Sequence, residues 1–251
     1  MNDSLDVVNS TLSSTLRLWR GTNARPAARL PARPLELFEF EACPYCRLVR
    51  EALTELDLDA LIRPAPHGGT RFRPQVERRG GKQQFPYLVD ANTGASMYES
   101  ADIIEYLYRQ YGGRPAPTRL LRPLDVSSSM LASIPRMRSG AQARLSRAPK
   151  RPLELFSFES SPYSRRVREL LCELEIPYLL RSTGKAQWRD LGPPVVRAVL
   201  FPERPVTGRN RIELLRRTGK VQLPYLADPN TGAGMFESAG IREYLQVTYA
   251  K

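Results

Sequence analysis

The sequence predicts an α/β protein made of two small βαβαββα domains in tandem, and three observations predict it. One long stretch recurs later in the chain, each copy runs through the same order of strand-like and helix-like patterns, and the length and apolar content suit two small cores. The chain has 251 residues, 41% hydrophobic and 25% charged, with a mean hydropathy of −0.40. That balance excludes collagen, a coiled coil and wholesale disorder. At roughly 100 to 200 residues per domain, the length accommodates two. No run of about 18 apolar residues occurs, so no membrane-spanning helix and no membrane partner are expected.

The repeat is read directly. Arg33-Pro34-Leu35-Glu36-Leu37-Phe38 returns as Arg151-Pro152-Leu153-Glu154-Leu155-Phe156, an offset of 118, which also carries Cys43-Pro44-Tyr45-Cys46 onto Ser161-Pro162-Tyr163-Ser164. Further on, Pro86-Tyr87-Leu88 matches Pro224-Tyr225-Leu226 and Glu99-Ser100-Ala101 matches Glu237-Ser238-Ala239, now at an offset of 138. The second copy therefore carries 138 − 118 = 20 extra residues, within Lys185 to Arg211. Each copy is long enough to close its own core. The expected organisation is an N-terminal arm (1–32), a first domain (33–113), a linker (114–150) and a second domain (151–251).

Within the first copy, Leu35, Leu37, Phe38 and Phe40 read as a short buried strand. Val49, Ala52, Leu53 and Leu56 then recur at helical spacing, and Pro44 suits the first helical position with Cys43 just before it. Leu58 to Ile62 predicts a second strand, and Arg73 to Arg79, closed by Gly80-Gly81, a second helix. Tyr87-Leu88-Val89 and Ser96-Met97-Tyr98 predict a hairpin around Asn92-Thr93-Gly94. Ile103, Ile104, Leu107 and Tyr111 mark an amphipathic helix from near Ser100 to before Gly112-Gly113.

The formal net charge is +12, which raises the question of nucleic acid. From Arg114 to Arg151 there are nine Lys or Arg against the single acid Asp125, so most of the surplus lies in one stretch. With Pro115, Pro117, Pro123, Pro135 and Ser127-Ser128-Ser129 it has the composition of a solvated connector, and nucleic acid is not the expected partner. Three cysteines are too few for a disulfide scaffold and suit a reducing compartment. The start of the chain lacks a charged segment followed by an apolar core. A cytoplasmic location is expected.

The Cys43–Cys46 pair carries the chemistry. A thiolate attacks in disulfide exchange, and a cysteine at a helix N-terminus has its anion favoured by the free backbone N–H groups. Cys46 lies one turn in, within reach of a mixed disulfide on Cys43, so the pair reads as nucleophile and resolver. The same spacing is half of a zinc site, but the chain offers only Cys172 and His67 as further Cys or His ligands, and no metal is expected. Arg47 and Arg50 lie on the same helix. Ser161 and Ser164 cannot form a disulfide, so the second copy has no thiol redox chemistry. Cys172 aligns with Thr54 and reads as a small core or boundary residue.

A CPYC turn between the first strand and helix, a proline before a hairpin, and Glu-Ser opening the last helix closely resemble the thioredoxin fold, within it the glutaredoxin and glutathione-transferase N-terminal branch. The chain resembles proteins built of two such domains in sequence. The resemblance implies glutathione as co-substrate and disulfide-containing proteins or small molecules as substrates. It implies a cis Phe85-Pro86 bond, with the backbone of Phe85 pairing with the peptide-like part of glutathione. It also implies Glu99 and Ser100 at the γ-glutamyl end, with Tyr45 beside the ligand. Many glutaredoxins carry a lysine where this chain has Phe40, which leaves Lys82, Gln84, Arg71 and Arg73 as candidates for the glycine carboxylate. In the second copy, Ser160-Ser161-Pro162-Tyr163-Ser164 resembles serine-type transferases, and Ser161, Pro224, Glu237 and Ser238 outline a second glutathione-like site. His67 lies in an apparent loop with no role assigned. The expected activity is glutathione-dependent thiol–disulfide exchange, with Cys43 attacking and Cys46 resolving. Its rivals are a conjugating or reducing glutathione transferase and a non-enzymatic glutathione-binding adaptor or redox sensor.

Overall fold

Strand β1 (Leu35–Glu39) forms where Leu35, Leu37 and Phe38 bury completely. In the computed structural model, which describes residues 3–117, 122–136, 138–187 and 206–251, it is preceded by α1 (Asp3–Leu16) and followed by α2 (Pro44–Glu55), β2 (Ala60–Pro64), α3 (Arg73–Gly80), β3 (Tyr87–Asp90), β4 (Ala95–Met97) and α4 (Ser100–Leu107). A wider π turn continues α4 to Gly112. Next come α5 (Arg122–Ser133), β5 (Leu153–Ser157), α6 (Pro162–Glu173), β6 (Tyr178–Ser182), α7 (Arg209–Thr218), β7 (Tyr225–Asp228), β8 (Ala233–Phe236) and α8 (Ser238–Tyr249). The order βαβαββα thus occurs twice. Strand β2 starts two residues later than its apolar run predicts, because Leu58 is buried in the turn after α2, where its N–H donates to Leu53 O (2.9 Å). The prolines at 193, 194, 202 and 205, in the segment inserted into the second copy, lie outside the described residues.

In each copy the first strand pairs in parallel with the second and antiparallel with the third. That leaves β2 and β6 as edges, and an open edge is a row of unpaired donors and acceptors. The two edges close on each other, antiparallel, with Ala60 opposite Leu180 and Ile62 opposite Tyr178. One eight-stranded sheet results, in the order β4-β3-β1-β2-β6-β5-β7-β8. One apolar cluster runs through both copies, from Leu35, Leu53 and Ile103 to Leu153, Leu171 and Ile241. A smaller one holds α3 to the first copy through Phe38, Ala65, Phe72, Val76 and Tyr87. No helix among the described residues is long and apolar enough to cross a membrane.

The stretch expected as a solvated connector instead contains α5, packed on α2, with Ser129, Ala132 and Arg136 buried. These positions share one helical face, and their polar groups find partners: Ser129 Oγ donates to Pro44 O (2.9 Å). Helix α1 does the same against α6, where Ser10 Oγ donates to Pro162 O (2.8 Å). The two helices are themselves a repeat. Asp6, Val7, Ser10, Leu12, Ser14 and Arg17 correspond to Asp125, Val126, Ser129, Leu131, Ser133 and Arg136 at an offset of 119. Each copy's leading helix therefore crosses to the other copy. Beyond each helix the chain turns at Gly21 (φ +73°) and Gly140 (φ +74°), where a Cβ would lie 2.7 Å from Glu159 Cβ and 2.8 Å from Glu41 Cβ. Glycine supplies both the left-handed backbone and the room.

Charge, not hydrocarbon, fills the seam between α2 and α6. Arg50 Nε donates to Glu159 Oε2 across the seam (2.9 Å), and Arg168 Nη2 to Glu41 Oε1 in the mirror contact (2.9 Å). Outside them, Arg17 holds Glu51 with two bonds of 2.8 Å, and Arg136 holds Glu169. These groups are all nearly inaccessible to water, so each charge depends on its partner. Removing one carboxylate strands guanidiniums in a low-dielectric interior. Urea unfolding of Glu159→Leu is expected to show a loss of about 3–5 kcal/mol, whereas Arg144→Ala, which breaks the more exposed pair with Glu173, costs less than about 1 kcal/mol.

Candidate active site

The turn after β1 places the two cysteines. Cys43 is the N-cap of α2 and Pro44 its first residue. Cys43 N–H donates to Phe40 O (3.0 Å), which closes the turn, and Cys46 N–H donates to Cys43 Sγ (3.3 Å). The cap oxygen found at most helix starts is here a sulfur that accepts from the orphan donors of the first turn. Hydrogen bonding from the Cys46 side chain, and then from the N–H groups of Cys46 and Tyr45, pulls the Cys43 thiol down, against burial and the Glu39 carboxylate. Burial, together with the neighbouring Cys43 sulfur and Glu39, pushes Cys46 far up. One sulfur is favoured as the anion and the other is kept as the thiol. Cys43 is 5% exposed and Cys46 fully buried. Beneath them, burial pushes the Glu39 carboxyl up to about 7 despite its ion pair with Arg50.

Sheet pairing brings the other expected residues to the same end. Phe38 lies opposite Tyr87 in antiparallel register, so the chain leaving β1 toward Cys43 meets the chain entering β3 from Phe85-Pro86. Strand β4 is antiparallel to β3, and its exit delivers Glu99-Ser100 there as well. The Phe85–Pro86 bond is cis, as is Leu223–Pro224. Glu99 is the exposed N-cap of α4 at φ +63°, and its carboxylate accepts from Gln84 Nε2. A non-glycine residue held at positive φ is strained, and such strain gathers at ligand sites; Glu237 repeats it at +68°. Ser100 is the buried first residue of α4, and a cavity of about 200 Å³ opens beside it against Leu48 and Ile104. Tyr45, between the two cysteines, is 42% exposed.

Each of the four candidates for the glycine carboxylate has a partner within the protein, Arg73 through Nε to Pro66 O (2.7 Å). Arg71 donates to Leu174 O (2.7 Å) in the second copy, Lys82 stacks on Tyr98, and Gln84 bonds Glu99. Arg73 is at the site, with its guanidinium 4.7 Å from the centroid of Phe85 and 6.0 Å from that of Phe40. Nothing in the spacing of Arg73 distinguishes it from surface arginines; only the pairing of β1 with β3 reveals its place. His67 packs edge-on against Phe40, and its backbone pairs with Ala141 and Ala143 of the chain after α5.

The second copy keeps the backbone and has serines in place of both sulfurs. Ser161 caps α6 by accepting from Ser164 N–H (3.2 Å), and both serines are buried. Pro224 is buried and Glu237 exposed, as in the first copy. The hydroxyl of Ser238, expected at the ligand's γ-glutamyl end, instead accepts from Arg166 (3.4 Å), whose Nε donates to Asp6 of α1 (2.6 Å). The first copy has Leu48 at the position of Arg166, and the cations on its cavity beside Ser100 are instead Arg17 and Arg20.

The sequence profile described as glutathione S-transferase, N-terminal domain, matches residues 37–115 and again 155–251. No curated protein matches the chain. Among solved structures, a glutathione transferase of Bombyx mori is 26% identical over 34% of this chain and 39% of its own, with a TM-score of 0.30. A trimeric glutathione transferase of Leishmania is 13% identical over 88% of this chain and 68% of its own, with a TM-score of 0.28. The chain thus spans well under half the length of the silkworm protein. The two profile matches cover more than half of the sequence, and each takes in one βαβαββα unit: the chain belongs to the glutathione S-transferase N-terminal domain family and carries that domain twice.

Proposed function

We propose that the protein is a glutathione-dependent thiol–disulfide oxidoreductase whose chemistry lies in the first copy, in a chain divided into domains at 33–113 and 151–251. The observation that carries this reading is the seat of Cys43 as the N-cap of α2, its sulfur accepting from Cys46 N–H (3.3 Å), with the Cys46 thiol fully buried one turn in. The Cys43 thiolate attacks a substrate disulfide R–S–S–R′, forming Cys43–S–S–R and releasing R′S⁻, which takes a proton from solvent. Cys46, once deprotonated, attacks the Cys43 sulfur, releases RS⁻ and leaves the Cys43–Cys46 disulfide. Two molecules of glutathione then reduce it: the first forms a mixed disulfide on Cys43, and the second displaces Cys43 to give oxidised glutathione. Each cycle moves two electrons from two glutathione thiols to one substrate disulfide.

In this reading glutathione lies across the end of the sheet. The backbone of Phe85 beside Pro86 pairs with its peptide part, and Glu99 and Ser100 meet the γ-glutamyl end, where a helix N-terminus suits a carboxylate. Tyr45 flanks the sulfur, and Arg73 takes the glycine carboxylate. Ser161, Pro224, Glu237 and Ser238 form the matching groove of the second copy, where the Arg166–Asp6 pair already occupies the Ser238 end. This favours exchange at Cys43 over conjugation at Ser161.

Two variants test the assignment. Cys43→Ser is expected to reduce glutathione-coupled disulfide reduction to the uncatalysed level; turnover at the wild-type rate would contradict it. Cys46→Ser is expected to keep reduction of glutathionylated small molecules, which needs only Cys43, while losing reduction of protein disulfides and accumulating the mixed disulfide, detected by mass spectrometry.

A further inference from the structure

Arg47 of α2 and Arg165 of α6 correspond at the offset of 118 and line one cavity; both are less than 5% exposed. Neither is satisfied. Arg165 Nη1 donates to Ser10 O (2.6 Å) and Nη2 to Ser14 Oγ (2.9 Å), but Nε has no partner; Arg47 Nη2 donates to Ser13 Oγ (2.8 Å), but Nη1 has none. Among the described residues, no carboxylate lies within ion-pair reach of Arg165. Within ion-pair reach of Arg47 there is, among the described residues, only Glu159 at 3.6 Å, which already serves Arg50 and Arg168. At the centre of the seam, Arg47, Arg50, Arg165 and Arg168 face Glu39, Glu41 and Glu159, while Glu51 and Glu169 beside them are paired with Arg17 and Arg136. One positive charge is left over, and a buried charge without a counterion is costly.

Both arginines line a cavity of about 510 Å³, a size that suits a small organic ligand. Its other walls include Phe40, Pro44, Met130 and Ile134, and the last two are more than half exposed. The acids on its lining are committed elsewhere, Glu41 to Arg168 and Glu169 to Arg136. Ala42 and Pro44, which flank Cys43, also line it, so the cavity abuts the reactive turn from the side of the second copy.

We propose that this cavity binds a small organic carboxylate, with the anion between Arg47 and Arg165 and an apolar body along Phe40, Pro44, Met130 and Ile134. The site draws on both copies, Arg47 from the first and Arg165 from the second, with Arg138 and the Glu169-paired Arg136 also on its lining. Binding there is independent of thiol chemistry; only its use to present an anionic substrate to Cys43 rests on the proposed function.

Calorimetric titration with 4-phenylbutyrate and with its neutral amide tests the proposal. The carboxylate is expected to bind wild type and Cys43→Ser alike, at least about tenfold more tightly than the amide. Arg165→Met is expected to lose that preference, with a melting temperature equal to or above wild type because a buried charge is gone. Equal affinity for acid and amide, no binding of the acid at millimolar concentration, or an unchanged preference in a folded Arg165→Met would overturn it. Arg47→Met provides a second variant, and the acid–amide comparison on wild type decides the matter should neither fold. Because Cys43→Ser is included, loss of the redox reading leaves this result intact.

Discussion

Arg50 and Arg168 reach across the seam to Glu159 and Glu41, and the rest of the structure follows from that exchange. It sets α2 against α6, and it lets edge strands β2 and β6 pair. It also requires Gly21 and Gly140, since the Cβ atoms of both glutamates come too close for a side chain there. Backbone contacts complete the pattern: Glu159 N–H donates to Thr54 Oγ1, and Glu41 N–H to Cys172 Sγ. Cys172 is thus the counterpart of Thr54, and burial holds it as a thiol. An interface made of ion pairs sets register and orientation more sharply than it stabilises, which suits two near-identical copies that could otherwise slide.

The two halves diverge in side chains on a shared backbone. Both keep the cis proline, the strained glutamate and the capped first helix. The first has two sulfurs and an unfilled space beside Ser100. The second has two serines, and Arg166 with Asp6 at the equivalent place. Asp6 comes from α1, so the leading helix of one copy helps fill the groove of the other.

Much of this was legible in the sequence. Alternating Leu35, Leu37 and Phe38, the helical spacing of Val49, Leu53 and Leu56, and Asn92-Thr93-Gly94 report local geometry, because core residues and tight turns admit few alternatives. The cysteine turn, Pro86 and Glu99-Ser100 stand out for the same reason. Helices α1 and α5 were not legible as packed elements, because the faces they bury carry Ser10, Ser13 and Ser14, or Ser129 and Ala132, with Arg17 and Arg136 buried just past their ends. Periodicity read through hydrophobicity is blind to a face that buries hydroxyls and guanidiniums, although the offset of 119 between the helices was open to view. Arg47 and Arg165 look like solvated charges for a related reason: Glu159 lies 112 residues from Arg47, and only the joining of two sheet edges brings them together.

The central claim is that the seat of Cys43 at the start of α2 makes its anion easy to form while Cys46 stays protonated. The pH dependence of alkylation by a small reagent, followed separately at each cysteine by mass spectrometry, measures this directly. Cys43 is expected to react with a midpoint below the value of about 8.5 for a free thiol, and Cys46 to stay unreactive until well above it. A midpoint for Cys43 at or above that value, or reaction of Cys46 first, would contradict it.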